Sequence, residues 1–236
     1  MKTRRPLHIR TTMTYGYLDP ESAIRITRRK LPHWEQADRM YFITFRTADS
    51  LPTAVREQWI DDRDRWLWSH GIDVGRPGWQ RKLAALPPQI RQRFLAGAKT
   101  AWQQALDACH GDCLLRDPRL RTLVMEAVLR ADGVAYDVDA LVVMPNHVHV
   151  LVGMKEIGSM RQQCRAWKYF SASRINRTLG RRGTFWQADS YDHVVRSPEA
   201  LQRLREYIVA NPVKAKLHAK EFTLHVRADP CLGASP

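Results

Sequence analysis

The sequence of 236 residues predicts an α+β protein, built on an antiparallel sheet with helices packed on one face and interrupted by a helical insertion. Three observations carry this. MYFITFRT, from Met40, alternates Tyr41, Ile43 and Phe45 on one face with Phe42, Thr44 and Arg46 on the other, the pattern of a half-buried strand. DPRLRTLVMEAVLRADG, from Asp117, carries a complete helix signature: Asp117 as N-cap, Pro118 at the first helical position and Gly133 just past the end. Beyond it, strand-like and helix-like runs continue in the order strand, strand, helix.

Taken in chain order, residues 1–35 read as a basic N-terminal arm ending in RRKLPHWEQ. A main domain spans 36–218, and 219–236 reads as a C-terminal tail. Between about 49 and 112 apolar residues recur at helical spacing, Trp59, Trp66 and Trp68 among them, broken by Pro77 and Pro87-Pro88; this is the insertion. AYDVDALVVM and HVHVLVGM are apolar runs separated at Pro145-Asn146, either neighbouring antiparallel strands or one long strand interrupted there. SMRQQCRAWKYFSASRINRTLG places Met160, Cys164, Trp167 and Ser171 on one helical stripe and Arg161, Arg165 and Lys168 on an adjacent one. In SPEALQRLREYIVANPVKAKL, Ser197 is a good N-cap, Pro198 opens a helix, and Pro212 is expected to end it near Asn211. The order of elements fits a ferredoxin-like plan, as one of several.

Composition narrows the partner. With 38 Lys+Arg against 24 Asp+Glu the chain carries +14, a balance that calls for an anionic partner, nucleic acid first. Between Ser159 and Arg182 there are seven Arg/Lys and no acid, so this helix is a candidate for phosphate contact, with Arg161, Arg165, Lys168, Arg174 and Arg177 as its cations. Tyr169, in the same helix, is placed to stack on a base. No run approaches the length of a transmembrane helix, and the N-terminus lacks the apolar core of a secretory signal. Four scattered cysteines suit a reducing cytoplasm. Cys109 and Cys113 flank His110, but no second ligand pair follows, so they read as structural.

The run VVMPNHVHVLVGM holds the chemistry. In a strand His147 and His149 project from the same face, a geometry suited to one metal ion or one phosphate. Several enzyme classes use such a pair, but a histidine-triad hydrolase wants a third alternate histidine where Leu151 stands. A metallo-β-lactamase-type site wants an Asp-His shortly after, and Val150, Leu151 and Val152 supply neither. A nucleophile is available elsewhere. Tyr207 and Asn211 are four residues apart on the last helix and nearly eclipse, and Tyr207 lies beside the buried stripe of Leu201, Leu204 and Ile208. Tyr169 and Tyr191 are its rivals.

The ordered set MPNHVHVLV, WKYFSASRINRTLG, FWQADSYDHVVR and EYIVANPVKAKL resembles the IS200-like single-tyrosine transposase superfamily, a group within the His-hydrophobic-His nucleases, and within it the REP-associated tyrosine transposase branch. LPHWEQADRMYFITFRTADSLP resembles the opening of that branch. The similarity covers roughly 29–48 and 115–218; the insertion departs from minimal members, and no function is carried onto it. The resemblance implies a metal pair at His147 and His149, a nucleophile at Tyr207 and a metal-completing amide at Asn211. It further implies Mg²⁺ or Mn²⁺ as cofactor and single-stranded DNA bearing REP-like hairpins as substrate, in a monomer or dimer acting at the nucleoid. Two nitrogen ligands lean toward a transition metal, and Mn²⁺ satisfies both arguments. The competing expectations are a DNA-binding descendant without catalysis and a metal-dependent hydrolase of small phosphoesters.

Overall fold

A computed structural model describes residues 15–28 and 32–228. Most of the basic residues of the expected arm, in 1–14 and 29–31, and Cys231 lie outside the described residues. The chain builds β1 (Arg25–Arg28), β2 (Pro32–Glu35), β3 (Arg39–Arg46), α1 (Thr53–Ser69), α2 (Trp79–Ala85), α3 (Pro88–Asp107), α4 (Pro118–Leu129), β4 (Tyr136–Val143), β5 (His147–Met154), α5 (Ser159–Thr178), β6 (Tyr191–Val194), α6 (Pro198–Lys214) and β7 (Thr223–Val226).

Five strands form one antiparallel sheet in the order β6-β3-β5-β4-β7. The β4 and β5 runs are neighbouring strands, and the Met144 amide closes their connection onto the His147 carbonyl at 2.8 Å. Pro145 sits in this link, where its missing N–H costs no ladder bond. In β3 the alternation is as the sequence indicates, but neither face is open. Tyr41, Ile43 and Phe45 join a core with Val148, Val150 and Val152 under α4 and α5, while Phe42 packs with Leu151 and Ile208 under α6. The expected helices on one face are α4 and α5; α6 lies across the other.

A bulge in β4 decides where α6 lands. The pairing with β5 slips between Val138 and Ala140, so Asp139 is the extra residue. The slip moves the inward positions from Tyr136 and Val138 to Leu141 and Val143, which is why the run does not alternate cleanly. It also aims the Asp139 carboxylate at Arg205 of α6, whose Nε donates at 2.9 Å. That fork holds α6 over the sheet beside Tyr207.

Helix ends follow the sequence closely. Asp117 accepts from the Arg119 amide and Ser197 from the Ala200 amide, each satisfying a donor that a helix start leaves bare. Pro212 departs from expectation: α6 runs through it to Lys214. Proline so near the last turn forfeits one bond, that to the Ile208 carbonyl, and Ile208, Asn211 and Pro212 are all buried. Burial outweighs the bias of the residue before proline.

The insertion folds on itself as α1, α2 and α3, burying Leu67, Ile72 and Leu106 and stacking Trp66 on Phe94 with centroids 4.3 Å apart. Four strands, β1, β2, β6 and β7, stand where none was expected. The arm contributes the β1–β2 pair, which reaches β6 through an ion pair between buried His33 and Asp192. Burial pushes the Asp192 carboxyl up to about 6 against the pull of His33. Beyond residue 218, β7 pairs with β4 and extends the sheet.

Candidate active site

His147 and His149 lie two positions apart on β5, opposite Arg46 and Thr44 of β3, all on the face covered by α6. Both are fully buried, and their ring centroids are 4.7 Å apart. Burial drives His147 down to about 3 and His149 well below its usual value, His149 also feeling the neighbouring His147. Both imidazoles are therefore neutral at pH 7.

For His147 a neighbour fixes which nitrogen carries the proton. Asn146 Nδ2 donates to the His110 carbonyl at 3.1 Å, so its Oδ1 faces His147 and accepts from His147 Nδ1–H at 2.7 Å. His147 Nε2 is left with a bare lone pair, buried and without a hydrogen-bond partner. On His149, Nδ1 bonds the Thr44 hydroxyl at 2.7 Å and Nε2 faces the Tyr207 hydroxyl at 3.3 Å. Phe42 stacks on the His149 ring and packs edge-on against Tyr207, which keeps both rings in place.

Asn211 stands one helical turn beyond Tyr207, fully buried, and neither its Oδ1 nor its Nδ2 has a partner. A buried amide with both ends unpaired costs several kcal/mol unless something completes it. Among the described residues no group of three or more His, Cys, Asp or Glu gathers into a metal cluster. The two histidine nitrogens and the amide oxygen nevertheless fit a divalent cation: neutral imidazoles backed by Asn146 and Thr44, with unsatisfied atoms on His147 and Asn211. The remaining coordination positions would fall to phosphate and water oxygens, as suits Mg²⁺ or Mn²⁺.

The predicted residues thus divide into two groups. His147, His149 and Tyr207 meet directly, and Asn211 follows on the same helix. Arg161, Arg165, Lys168, Tyr169, Arg174 and Arg177 lie on α5, which packs through Met160, Cys164, Trp167, Ser171 and Ile175 on the opposite face of the sheet. Two of these cations are already engaged: Lys168 donates to the Gln187 and Ala188 carbonyls, and Arg174 pairs with Glu126. Arg165 and Arg177 are exposed, as is Tyr169, 72% accessible. A groove of about 670 Å³ runs between α5 and residues 183–188, lined by Arg165, Lys168, Tyr169, Phe170 and Trp186 among others. Of the rival tyrosines, Tyr169 packs on Phe170, and Tyr191 shares the histidine face but stands on edge strand β6 beyond Thr44, its ring against His193.

Sequence reasoning did not single out Asn146, Thr44 or Lys214. Asn146 sits inside the quoted histidine motif, and Thr44 falls on the strand face shared with Phe42 and Arg46; only pairing shows that each backs a histidine. Lys214 places its ammonium 5.5 Å from the centre of the Tyr207 ring, one turn past the expected helix end.

Residues 118–211 match a family model described as Transposase IS200 like. Among solved structures, one described as a REP-associated tyrosine transposase bound to a REP hairpin is similar at 14% identity and a TM-score of 0.41, covering 79% of this chain and 74% of that one. No curated protein matches. No helix among the described residues is long and apolar enough to cross a membrane. Residues 118–211, the stretch similar to the IS200-like transposase family, hold both histidines, Tyr207 and Asn211.

Proposed function

We propose that the protein is a divalent-metal-dependent endonuclease and strand transferase acting on single-stranded DNA beside a hairpin, with Tyr207 as nucleophile. The observation that carries this is the gathering of buried, unsatisfied donors beside one hydroxyl: His147 Nε2 and the Asn211 amide without partners, and Tyr207 Oη 3.3 Å from His149 Nε2. A cation held by His147, His149 and Asn211 would polarise the scissile phosphate and offset charge on the leaving oxygen. Tyr207 gives up its hydroxyl proton and its Oη bonds phosphorus; the P–O3′ bond breaks and the 3′ oxygen takes a proton. The upstream fragment then ends in a free 3′-OH, and the 5′ phosphate of the downstream fragment is held as a phosphotyrosine. Because a diester has been exchanged for a diester, attack by another 3′-OH reverses the step, so the arrangement suits strand transfer better than degradation.

Phe42, Thr44 and Asn146 have positioning roles, holding ring planes and proton positions so that both Nε2 lone pairs face the substrate side. The net charge of +14 and the groove beside α5 suit a polyanion rather than a small phosphoester.

The test is covalent capture. Labelled hairpin-bearing single strands with Mn²⁺ should give a protein–DNA adduct that survives denaturing electrophoresis. Tyr207→Phe and excess EDTA should each abolish it, Tyr207→Phe with DNA affinity nearly unchanged, while Tyr191→Phe and Tyr169→Phe keep it. An adduct that persists in Tyr207→Phe would overturn the nucleophile assignment, and binding without any adduct would leave a DNA-binding protein without catalysis.

A further inference from the structure

Arg46 lies directly across the strand pair from His147, on the same face, so their Cβ atoms are about 5 Å apart. The side chain is half-buried, yet among the described residues no carboxylate lies within salt-bridge distance of it. Its guanidinium is held in place: Nη1 donates to the Ser50 hydroxyl at 2.8 Å, and Trp102 of α3 covers it with the ring centre 4.9 Å from Cζ. Burial lowers its proton affinity, and the exposed Arg56 of α1 adds to this as a second cation. Helix α1 begins at Thr53, three residues after Ser50, and has neither a side-chain cap nor an acid in its first turn. Among the described residues neither Arg46 nor Arg56 has an ion-pair partner, and the start of α1 between them in sequence is uncapped. Proteins tolerate a half-buried cation of this kind where an anion completes it.

The place of this cluster identifies the anion. It borders His147 on the neighbouring strand β3, on the same face that α6 covers. It also meets the other face of the sheet: the Gln187 amide donates to the Arg46 carbonyl at 2.9 Å, and Gln187 lines the groove beside α5. A strand leaving that groove for the histidines would pass Arg46.

We propose that Arg46 and Arg56, with the N-terminus of α1, form a seat for a backbone phosphate of the DNA strand flanking the scissile linkage, and that the insertion exists in part to build it. The inference rests on the function proposed above. Ser50 and Trp102 are positioning residues: they hold the guanidinium plane so that its remaining N–H groups face the strand, and Arg rather than Lys is required for a forked contact.

The experiment separates this seat from catalysis by working without cleavage. In the Tyr207→Phe chain with EDTA, affinity for a short unstructured single strand is measured by anisotropy across a salt series. Arg46→Gln and, separately, Arg56→Gln should weaken binding several-fold and reduce the salt slope of log affinity by about 0.7 each. Arg56→Gln, on an exposed surface, keeps the test valid if Arg46→Gln unfolds. Strands carrying one neutral methylphosphonate linkage should then show a single position whose loss is felt by the parent and not by Arg46→Gln. Unchanged slopes in both variants, additive losses at every linkage, or competition by inorganic phosphate as strong as by the strand would each overturn the seat. If the wild type gives the covalent adduct while these slopes stay flat, the seat alone falls. If the slopes respond and no adduct forms, the seat stands and the catalytic reading falls.

Discussion

At the scale of the residue, the two histidines show how burial prepares a ligand and what that preparation costs. An exposed imidazole spends part of its time protonated near neutral pH, whereas His147, held down to about 3, stays neutral. The sign follows by linkage. The unfolded chain binds a proton on each histidine below about 6.5 and the folded chain does not, so stability present above that pH is lost as pH falls toward 3. The slope is at most about 1.4 kcal/mol per pH unit for each ring. Asp192 works the other way: its folded carboxyl, at about 6, takes a proton before the unfolded one, returning some stability between about 6 and 3.8. Two histidines outweigh one aspartate, so the metal-free protein should lose stability between pH 7 and about pH 4.5. Urea midpoints in EDTA at the two pH values measure this, and His147→Gln should reduce the difference; equal midpoints in the parent would contradict neutral buried histidines.

At the scale of the element, the parts joined across long sequence separations are the ones most open to test. Arg121 of α4, buried to 3% exposure, donates to the carbonyls of Leu115, Arg116 and Lys220 and to the Thr223 hydroxyl. One side chain thereby joins α4 to the turn before it and to the approach of β7. Arg121→Met keeps much of the apolar stem but strands four buried or half-buried acceptors, and should cost about 3 kcal/mol or more in urea unfolding. A loss below about 1 kcal/mol would mean that water replaces these bonds. The elements also show what a sequence can display. Helices α4 and α6 were legible from Asp117, Pro118, Ser197 and Pro198, because caps are local chemistry. The two faces of β3 were legible from alternation, but its burial on both faces was not, since that depends on α6 crossing from far along the chain. Strands β1, β2, β6 and β7 have four residues each, too short to set a period, and what defines them is their neighbours. Pro212 misled because its local rule is sound and its burial is not local.

At the scale of the whole molecule, the sheet separates two groups of residues: the histidines and Tyr207 occupy one face, and the basic helix α5 the other. On the proposed function, a strand that engages both would have its phosphate contacts divided between them. Arg165 and Arg177 are exposed, and among the described residues no carboxylate pairs with them; replacing both by Gln should reduce the salt slope for single strands by about 1.4 while leaving preference among sequences unchanged. A salt series on hairpin and unstructured strands of equal length tests this, and an unchanged slope would make α5 a solvated face. The candidate site was legible as residue types and spacing: His147, His149 and Tyr207 lie beside one another, with Asn211 one turn further along α6, and their roles are those of the proposal. The supporting groups Thr44, Asn146 and Arg46 were not, because strand register, and not sequence distance, brings them there.

The bond from Asn146 to the His110 carbonyl has a consequence of its own. His110 belongs to the segment that returns the insertion to the sheet, so the carbonyl that holds this amide is supplied by the insertion rather than by the sheet. Turning the amide by half a revolution would present its NH₂ to His147 Nδ1, which would then have to accept. The ring proton would move to Nε2, and the imidazole would be shut to any cation although the ring itself had not moved. The His110 carbonyl acts as a detent on that rotor, and through it the fold of the insertion sets whether the first histidine of the pair is open or closed.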